Sequence, residues 1–171
     1  MAMQYDVKQA HLNSSGYFVT YPVRVKGVSF AGNASSAGAL VLFDTAATPV
    51  SSSVTYAQTG TLVTVTKTAH GLLTGDVIGI HFLANAGVSA TDGTYAITKT
   101  GADTFTLTDI NSRSIASTAA VYAVGKWLMT YESVATDIFT NVPFIPGEGV
   151  RAETGIYGYM VNLDSAQIIY G

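Results

Sequence analysis

The stretch YAITKTGADTFTL, from Tyr95 to Leu107, decides the fold class. On each side of its centre, large apolar residues alternate with threonine or other small residues. Alternation with a period of two places one set of side chains on one face of a strand. Gly101-Ala102-Asp103 supplies residues that favour a turn. The stretch therefore predicts a β-hairpin with one buried face, formed by Tyr95, Ile97, Phe105 and Leu107.

The same alternation, interrupted by turn residues at short intervals, recurs along the whole chain and predicts an all-β protein. Around the hairpin strands at 95–99 and 105–109, we expect further strands at 5–8, 16–20, 23–30, 39–44, 62–67, 77–83, 119–124, 126–133, 137–142, 150–153, 156–161 and 166–170. The small, polar segment 46–53 predicts a connection between two groups of strands.

Composition excludes several classes of protein. Only 11% of the 171 residues are charged, compared with about 25% in an average soluble domain. Cysteine is absent, so disulfides and thiolate metal sites are excluded. We expect no membrane span, because the apolar runs are shorter than the roughly 18 residues needed, and no signal peptide. The net charge of −3, without a run of Lys and Arg, argues against direct binding of nucleic acid.

Three blocks of the sequence stand out, HGLLTGDVI at 70–78, DGTY at 92–95 and DTFTL at 103–107. Together they resemble a small β module that recurs in phage tail and virion proteins. The resemblance implies a small β-barrel-like module over residues 57–125. Within the first block, we expect Gly75 to relax a turn and Asp76 to accept hydrogen bonds from nearby N–H groups.

The flanking segments contain MQYDVK at 3–8, PGEG at 146–149, GIY at 155–157 and IIYG at 168–171. With these stretches they are similar to small virion structural proteins of marine bacteriophages. In those proteins the strand matching 39–44 runs through a short turn into the strand matching 126–133. The resemblance thus implies a base domain of residues 1–56 and 126–171, an antiparallel jelly-roll-like sandwich, with the module inserted into a surface hairpin loop.

No residue pattern indicates catalysis. His11, His70 and His81 lack the spacing typical of metal ligands, and for His70 we expect a hydrogen bond from the ring to a turn carbonyl. Glu148 and Glu153 could be read as a glycosidase pair, but Glu148 lies in a turn and no aromatic platform is evident. The segment 109–113 reads as a polar turn rather than a calcium loop. The sequence therefore predicts no catalytic, cofactor-binding or metal-binding residue and no enzyme.

Tyrosines mark the one candidate site. Tyr157, Tyr159 and Tyr170 fall in the last two predicted strands, and tyrosine buries a large area while keeping a polar group. They can form an interface with a partner, or they can flank the core of the sandwich. Both interpretations stay open at this point.

The resemblance implies a structural component of a bacteriophage particle, assembled in the host cytoplasm and located in the virion. We expect a capsid decoration (cement) protein, a homotrimer that contacts the major capsid protein or neighbouring virion proteins. The alternatives are a tail ring, adaptor or fibre-attachment subunit, and a carbohydrate-binding module for adhesion.

Overall fold

The computed structural model describes residues 7–33, 35–84, 86–134, 140–142, 145 and 147–171, and these residues form an all-β structure. The strands pair antiparallel in three sheets. The described part of the chain contains no helix of the length and apolar character required to cross a membrane. The prediction of an all-β sandwich fold is confirmed.

The strands are β1 Lys8–Leu12, β2 Gly16–Val19, β3 Val23–Gly32, β4 Gly38–Asp44, β5 Thr55–Thr66, β6 Val77–Phe82, β7 Gly93–Ala96, β8 Thr98–Lys99, β9 Thr104–Val124, β10 Lys126–Ser133, β11 Thr140–Val142, β12 Val150–Ala152, β13 Ile156–Val161 and β14 Leu163–Tyr170. The predicted strands at 126–133 and 156–161 agree with β10 and β13 at both ends. The predicted strands at 5–8 and 137–142 lie partly outside the described residues.

The chain divides into two compact units. The base unit comprises the described residues of 1–46 and 128–171, and the inserted unit comprises those of 47–127. These limits differ from the predicted ones at 56/57 and 125/126. Residues 47–56 belong with the inserted unit, because Val54 and Tyr56 are buried in its core rather than in that of the sandwich.

Two sheets form the base unit. One has the order β1-β14-β3, with β11 and β12 both paired to β3, and the other has the order β10-β4-β13-β2. Apolar side chains from both sheets meet in one core, which includes Val25, Phe30, Leu40, Ile156 and Ile168. Because β10 lies beside β4, the inserted unit leaves and re-enters the base unit at two neighbouring strands.

The end of β4 is held by a buried carboxylate. Asp44 is 3% exposed, and its oxygens accept hydrogen bonds from the backbone N–H groups of Glu153 at 2.8 Å, Thr154 at 2.8 Å and Gly155 at 3.2 Å. A buried carboxylate needs such donors to replace the water it loses. Asp44 thereby fixes the turn between β12 and β13.

The long strand β9 organises the inserted unit. Residues up to Ala119 pair with β5, and Ala120 to Val124 pair with β6. The order is β5-β9-β6-β7, with β8 also paired to β9. Phe105, Ile78, Ile80 and Tyr56 are buried in its core. Among the described residues β5 and β7 do not pair with each other, so the barrel-like form expected for this module stays a prediction.

The hairpin predicted around Gly101 is present, but its first strand is broken. Thr98 and Lys99 of β8 pair with Thr106 and Phe105 of β9, while β7 pairs with β6. The break falls at Ile97, whose N–H and C=O bond to residues 75–76 instead of continuing a strand. Ile97, Phe105 and Leu107 are buried, as the alternation predicts, while Tyr95 is only partly buried against the same core.

Candidate functional site

The three tyrosines of the predicted interface do not share one environment. Tyr157 is 8% exposed and packs edge-on against Tyr17, with ring centroids 4.9 Å apart. Tyr170 is 7% exposed and belongs to the sandwich core. Tyr159 is partly exposed. Of the three, Tyr159 therefore offers the most surface to a partner.

The protonation behaviour of the two buried tyrosines reflects their packing. Burial raises the pKa of Tyr157, since the phenolate would lose its hydration. For Tyr170 the hydrogen bond with the hydroxyl of Tyr21, 3.4 Å away, is the larger cause of a raised pKa, and burial adds to it. Both side chains stay neutral at ordinary pH and act as packing groups.

A depression in the base unit has a basic rim, and we call it the basic depression. It consists of two adjoining hollows, of about 230 and about 280 Å³, which share Pro22, Val23 and Gly171. The first is also lined by Arg24, Arg151 and Ala152, and the second by Lys8, Tyr21 and Tyr170. Three cationic residues, Arg24, Arg151 and Lys8, thus line this depression in a chain whose net charge is −3.

Backbone pairing fixes the two arginines of the basic depression. Arg24 on β3 and Arg151 on β12 are direct partners in antiparallel register. The N–H and C=O of Arg24 also bond to Gly171, at 3.0 and 3.1 Å, which holds this part of β3 on its other side. The Arg24 guanidinium lies 3.3 Å from Glu148. Glu148, one of the two carboxylates in the glycosidase interpretation, therefore forms an ion pair with Arg24.

In the inserted unit, the HGLLTGD block forms a clasp between two turns. The His70 ring accepts a hydrogen bond at Nδ1 from the Leu72 N–H (3.0 Å) and lies 3.2 Å from the Gly101 carbonyl through Nε2. Because Nδ1 accepts, Nε2 carries the proton and donates to the carbonyl. The predicted bond from His70 to a turn carbonyl is confirmed, and its role is structural.

The remaining residues of the clasp close the same turns. The Asp76 carboxylate accepts from the Leu73 N–H at 2.8 Å, and Gly75 has a φ of +97°. Asp103 accepts from the Ala69 N–H at 2.8 Å. The expected roles of Gly75 and Asp76 are confirmed, and all these contacts stabilise the unit rather than present groups to a ligand.

Two acidic side chains, Asp92 and Asp109, hold the loop between β6 and β7. His81, 5% exposed, contacts Asp92 through Nδ1 at 2.6 Å, and the second Asp92 oxygen accepts from the Phe82 N–H at 2.9 Å. Asp109 accepts from Arg113 and from the Thr91 N–H, both at 2.9 Å. Neither contact was predicted. His81 and Asp92 are separated in sequence, and Asp109 and Arg113 lie in a polar segment without a motif.

The electrostatics of Asp109 follow from its burial and its donors. Burial raises the pKa of this carboxyl, but the N–H groups of Asn111 and Thr91 and the charge of Arg113 outweigh it, so the pKa is lowered overall. The donors also fill the positions around Asp109. The predicted polar turn at 109–113 is wrong, because these residues continue strand β9. Within the described residues, no group of three or more His, Asp or Glu side chains is arranged to hold a metal ion.

No family model matches the chain. The search of curated proteins likewise finds no significant match. The candidate site is therefore the basic depression of the base unit, lined by Arg24, Arg151 and Lys8. Sequence reasoning missed this depression, because its cations come from three separate segments.

Proposed function

We propose that this chain is a structural protein of a bacteriophage virion, a decoration protein that stabilises the capsid by contacting several shell subunits at once. The observation that carries the proposal is the clasp around His70. The residues through which the chain resembles a recurring phage module are the residues that hold the turns of the inserted unit together. The resemblance therefore concerns a scaffold, which fits a structural role.

The base unit supplies the surface for attachment. In this proposal it binds the major capsid protein or a neighbouring virion protein, and three copies assemble around a symmetry axis. Each contact removes apolar area from water, at about 25 cal/mol per Å² before the cost of association. Several modest contacts on one shell then act together through their high effective concentration.

The copy number in the particle tests this role. Quantitative mass spectrometry of particles from the phage that encodes the chain is expected to find on the order of hundreds of copies, as a capsid lattice requires. About a dozen copies or fewer would instead assign the chain to a tail ring, adaptor or fibre attachment. Absence from purified particles would overturn the virion role, including the alternative of a carbohydrate-binding module through which the particle adheres to cells.

The trimer is tested separately on the purified chain. Sedimentation equilibrium is expected to give three times the 17.8 kDa mass of one chain. Tyr159→Asp should weaken assembly, because it places a charge on a partly exposed surface of the base unit. Thr61→Asp, an exposed position of the inserted unit, is the matched control and should leave assembly unchanged. A monomeric chain at high concentration would contradict the trimer.

A further inference from the structure

The pairing of Arg24 with Arg151 places two like charges directly opposite each other. On one face of an antiparallel pair, opposed residues have Cβ atoms about 5 Å apart, and like charges in this position are destabilising. The chain has eight Lys and Arg residues in all, and Lys8 brings a third to the same depression. Such an arrangement gains stability when an anion lies between the cations.

The chain itself supplies one carboxylate to these cations. Glu148 contacts the Arg24 guanidinium at 3.3 Å, but its own side chain is 83% exposed. Among the described residues, neither Arg151 nor Lys8 forms an ion pair with an acidic side chain. The contact with Glu148 shows that a carboxylate can pair with a cation of the basic depression. The other two cations, Arg151 and Lys8, remain available to a second carboxylate.

We propose that the basic depression binds the carboxylate of an acidic polypeptide segment of a partner protein. Arg24 and Arg151 present guanidinium groups, which pair with carboxylates through two parallel hydrogen bonds. The exposed residues Tyr21 and Pro22 also line the depression, and the hydroxyls of Tyr21 and Tyr170 lie 3.4 Å apart. In the absence of the partner, Glu148 occupies Arg24 as an internal competitor.

That the partner is a virion protein depends on the proposed function; the carboxylate site itself does not. A polypeptide is favoured over a long polyanion because the cations lie around two compact hollows rather than along an extended groove. Exposed ion pairs are weak and screened by salt. Apolar contact is therefore needed for affinity, and the exposed Pro22, which lines both hollows, can supply it to the methylene groups of a peptide side chain.

Isothermal titration of the intact chain with a hexaglutamate peptide at low salt tests the site, with hexaglutamine as the uncharged probe. We expect binding of hexaglutamate alone. Arg151→Gln should weaken it about tenfold, the effect of losing one hydrogen bond to a charged group. Lys99→Gln removes the same charge from an exposed position of the inserted unit and should leave the affinity unchanged. Glu148→Gln should strengthen binding severalfold, since it removes the competitor.

The proposed carboxylate site would be overturned if hexaglutamate did not bind. It would also be overturned if Arg151→Gln and Lys99→Gln changed the affinity for hexaglutamate equally. Weaker binding of hexaglutamate by Glu148→Gln would overturn the role of Glu148 as an internal competitor. Tighter binding of inorganic phosphate or of polygalacturonate than of hexaglutamate would overturn the polypeptide assignment. Circular dichroism of each variant confirms folding. These results are independent of copy number in the particle, so failure of the site and failure of the virion role are distinguishable.

Discussion

The His70 ring joins two turns of the inserted unit through the bond from its Nε2 to the Gly101 carbonyl, 3.2 Å away. Phe105 supports the ring from one side, with centroids 5.2 Å apart. The ring therefore combines packing with two hydrogen bonds, and its loss would leave the Gly101 carbonyl and the Leu72 N–H to find other partners.

We predict that His70→Ala lowers the free energy of unfolding by about 1 to 3 kcal/mol, the usual cost of leaving such groups unsatisfied. Urea denaturation followed by fluorescence measures the change, and hydrogen exchange should show faster exchange at 69–76. His11→Ala, on the exposed side of β1, is the control and should change stability little. Equal stabilities of the two variants would mean that the clasp contributes nothing.

The lowered pKa of Asp109 predicts that the protein loses stability in acid. The pKa of Asp109 is lowered in the folded state, so the carboxylate contributes stability above its unfolded pKa of about 4, and this contribution is lost as the pH falls through the folded value. Asp109→Asn should be less stable than wild type at neutral pH and should lose less on acidification. Urea unfolding at about pH 6 and about pH 3 measures both. Asp164→Asn, at an exposed position, should retain the wild-type acid dependence.

Tyr95 predicts a loss of stability in alkali. Burial first, and then the carboxylates of Asp109 and Asp92, raise its pKa to about 12, and its hydroxyl donates to the Thr91 carbonyl at 2.6 Å. The stability due to the neutral hydroxyl is complete below the unfolded pKa of about 10 and is lost as the pH rises towards the folded value. Tyr95→Phe should therefore show a smaller difference between unfolding at about pH 9 and about pH 11. Tyr159→Phe should behave as wild type.

Excision of the inserted unit should leave a folded sandwich. Since β4 and β10 are neighbours, replacing residues 47–127 by a two-residue Asn-Gly turn is expected to join Ala46 to Leu128 without changing the register of the base unit. Circular dichroism and limited proteolysis check the product. An unfolded, rapidly cleaved product would show that the base unit depends on the inserted one.

The sequence predicted those parts of the fold that depend on local pattern. Ile97, Phe105 and Leu107 are buried because alternation along a strand determines which side chains share a face. The extent of β9 could not be predicted in this way. Its middle, Asn111-Ser112-Arg113, has turn composition, yet Arg113 pairs with Gly60 of β5 and the Gln58 amide donates to the Asn111 carbonyl. These are tertiary contacts, which override local preference.

The candidate site was predictable only in part. The tyrosine pattern located the last strands. Tyr157 and Tyr170 are buried whereas Tyr159 is partly exposed, and this difference could not be predicted because burial depends on packing between sheets. Arg24 and Arg151 are far apart in the sequence and become neighbours only through strand register. A scan for runs of basic residues therefore cannot find the basic depression.

The position of the inserted unit between β4 and β10 also affects the order in which the chain can fold. The sandwich pairs segments from opposite ends of the chain, as in β1 with β14 and β3 with β14, and closing such long loops slows folding. The inserted unit is continuous in sequence, so it can fold before the sandwich is complete. Once folded, it replaces a long flexible loop by a short link between β4 and β10, which lowers the entropic cost of closing that loop. The module can thus act as an early folding nucleus for the protein that carries it.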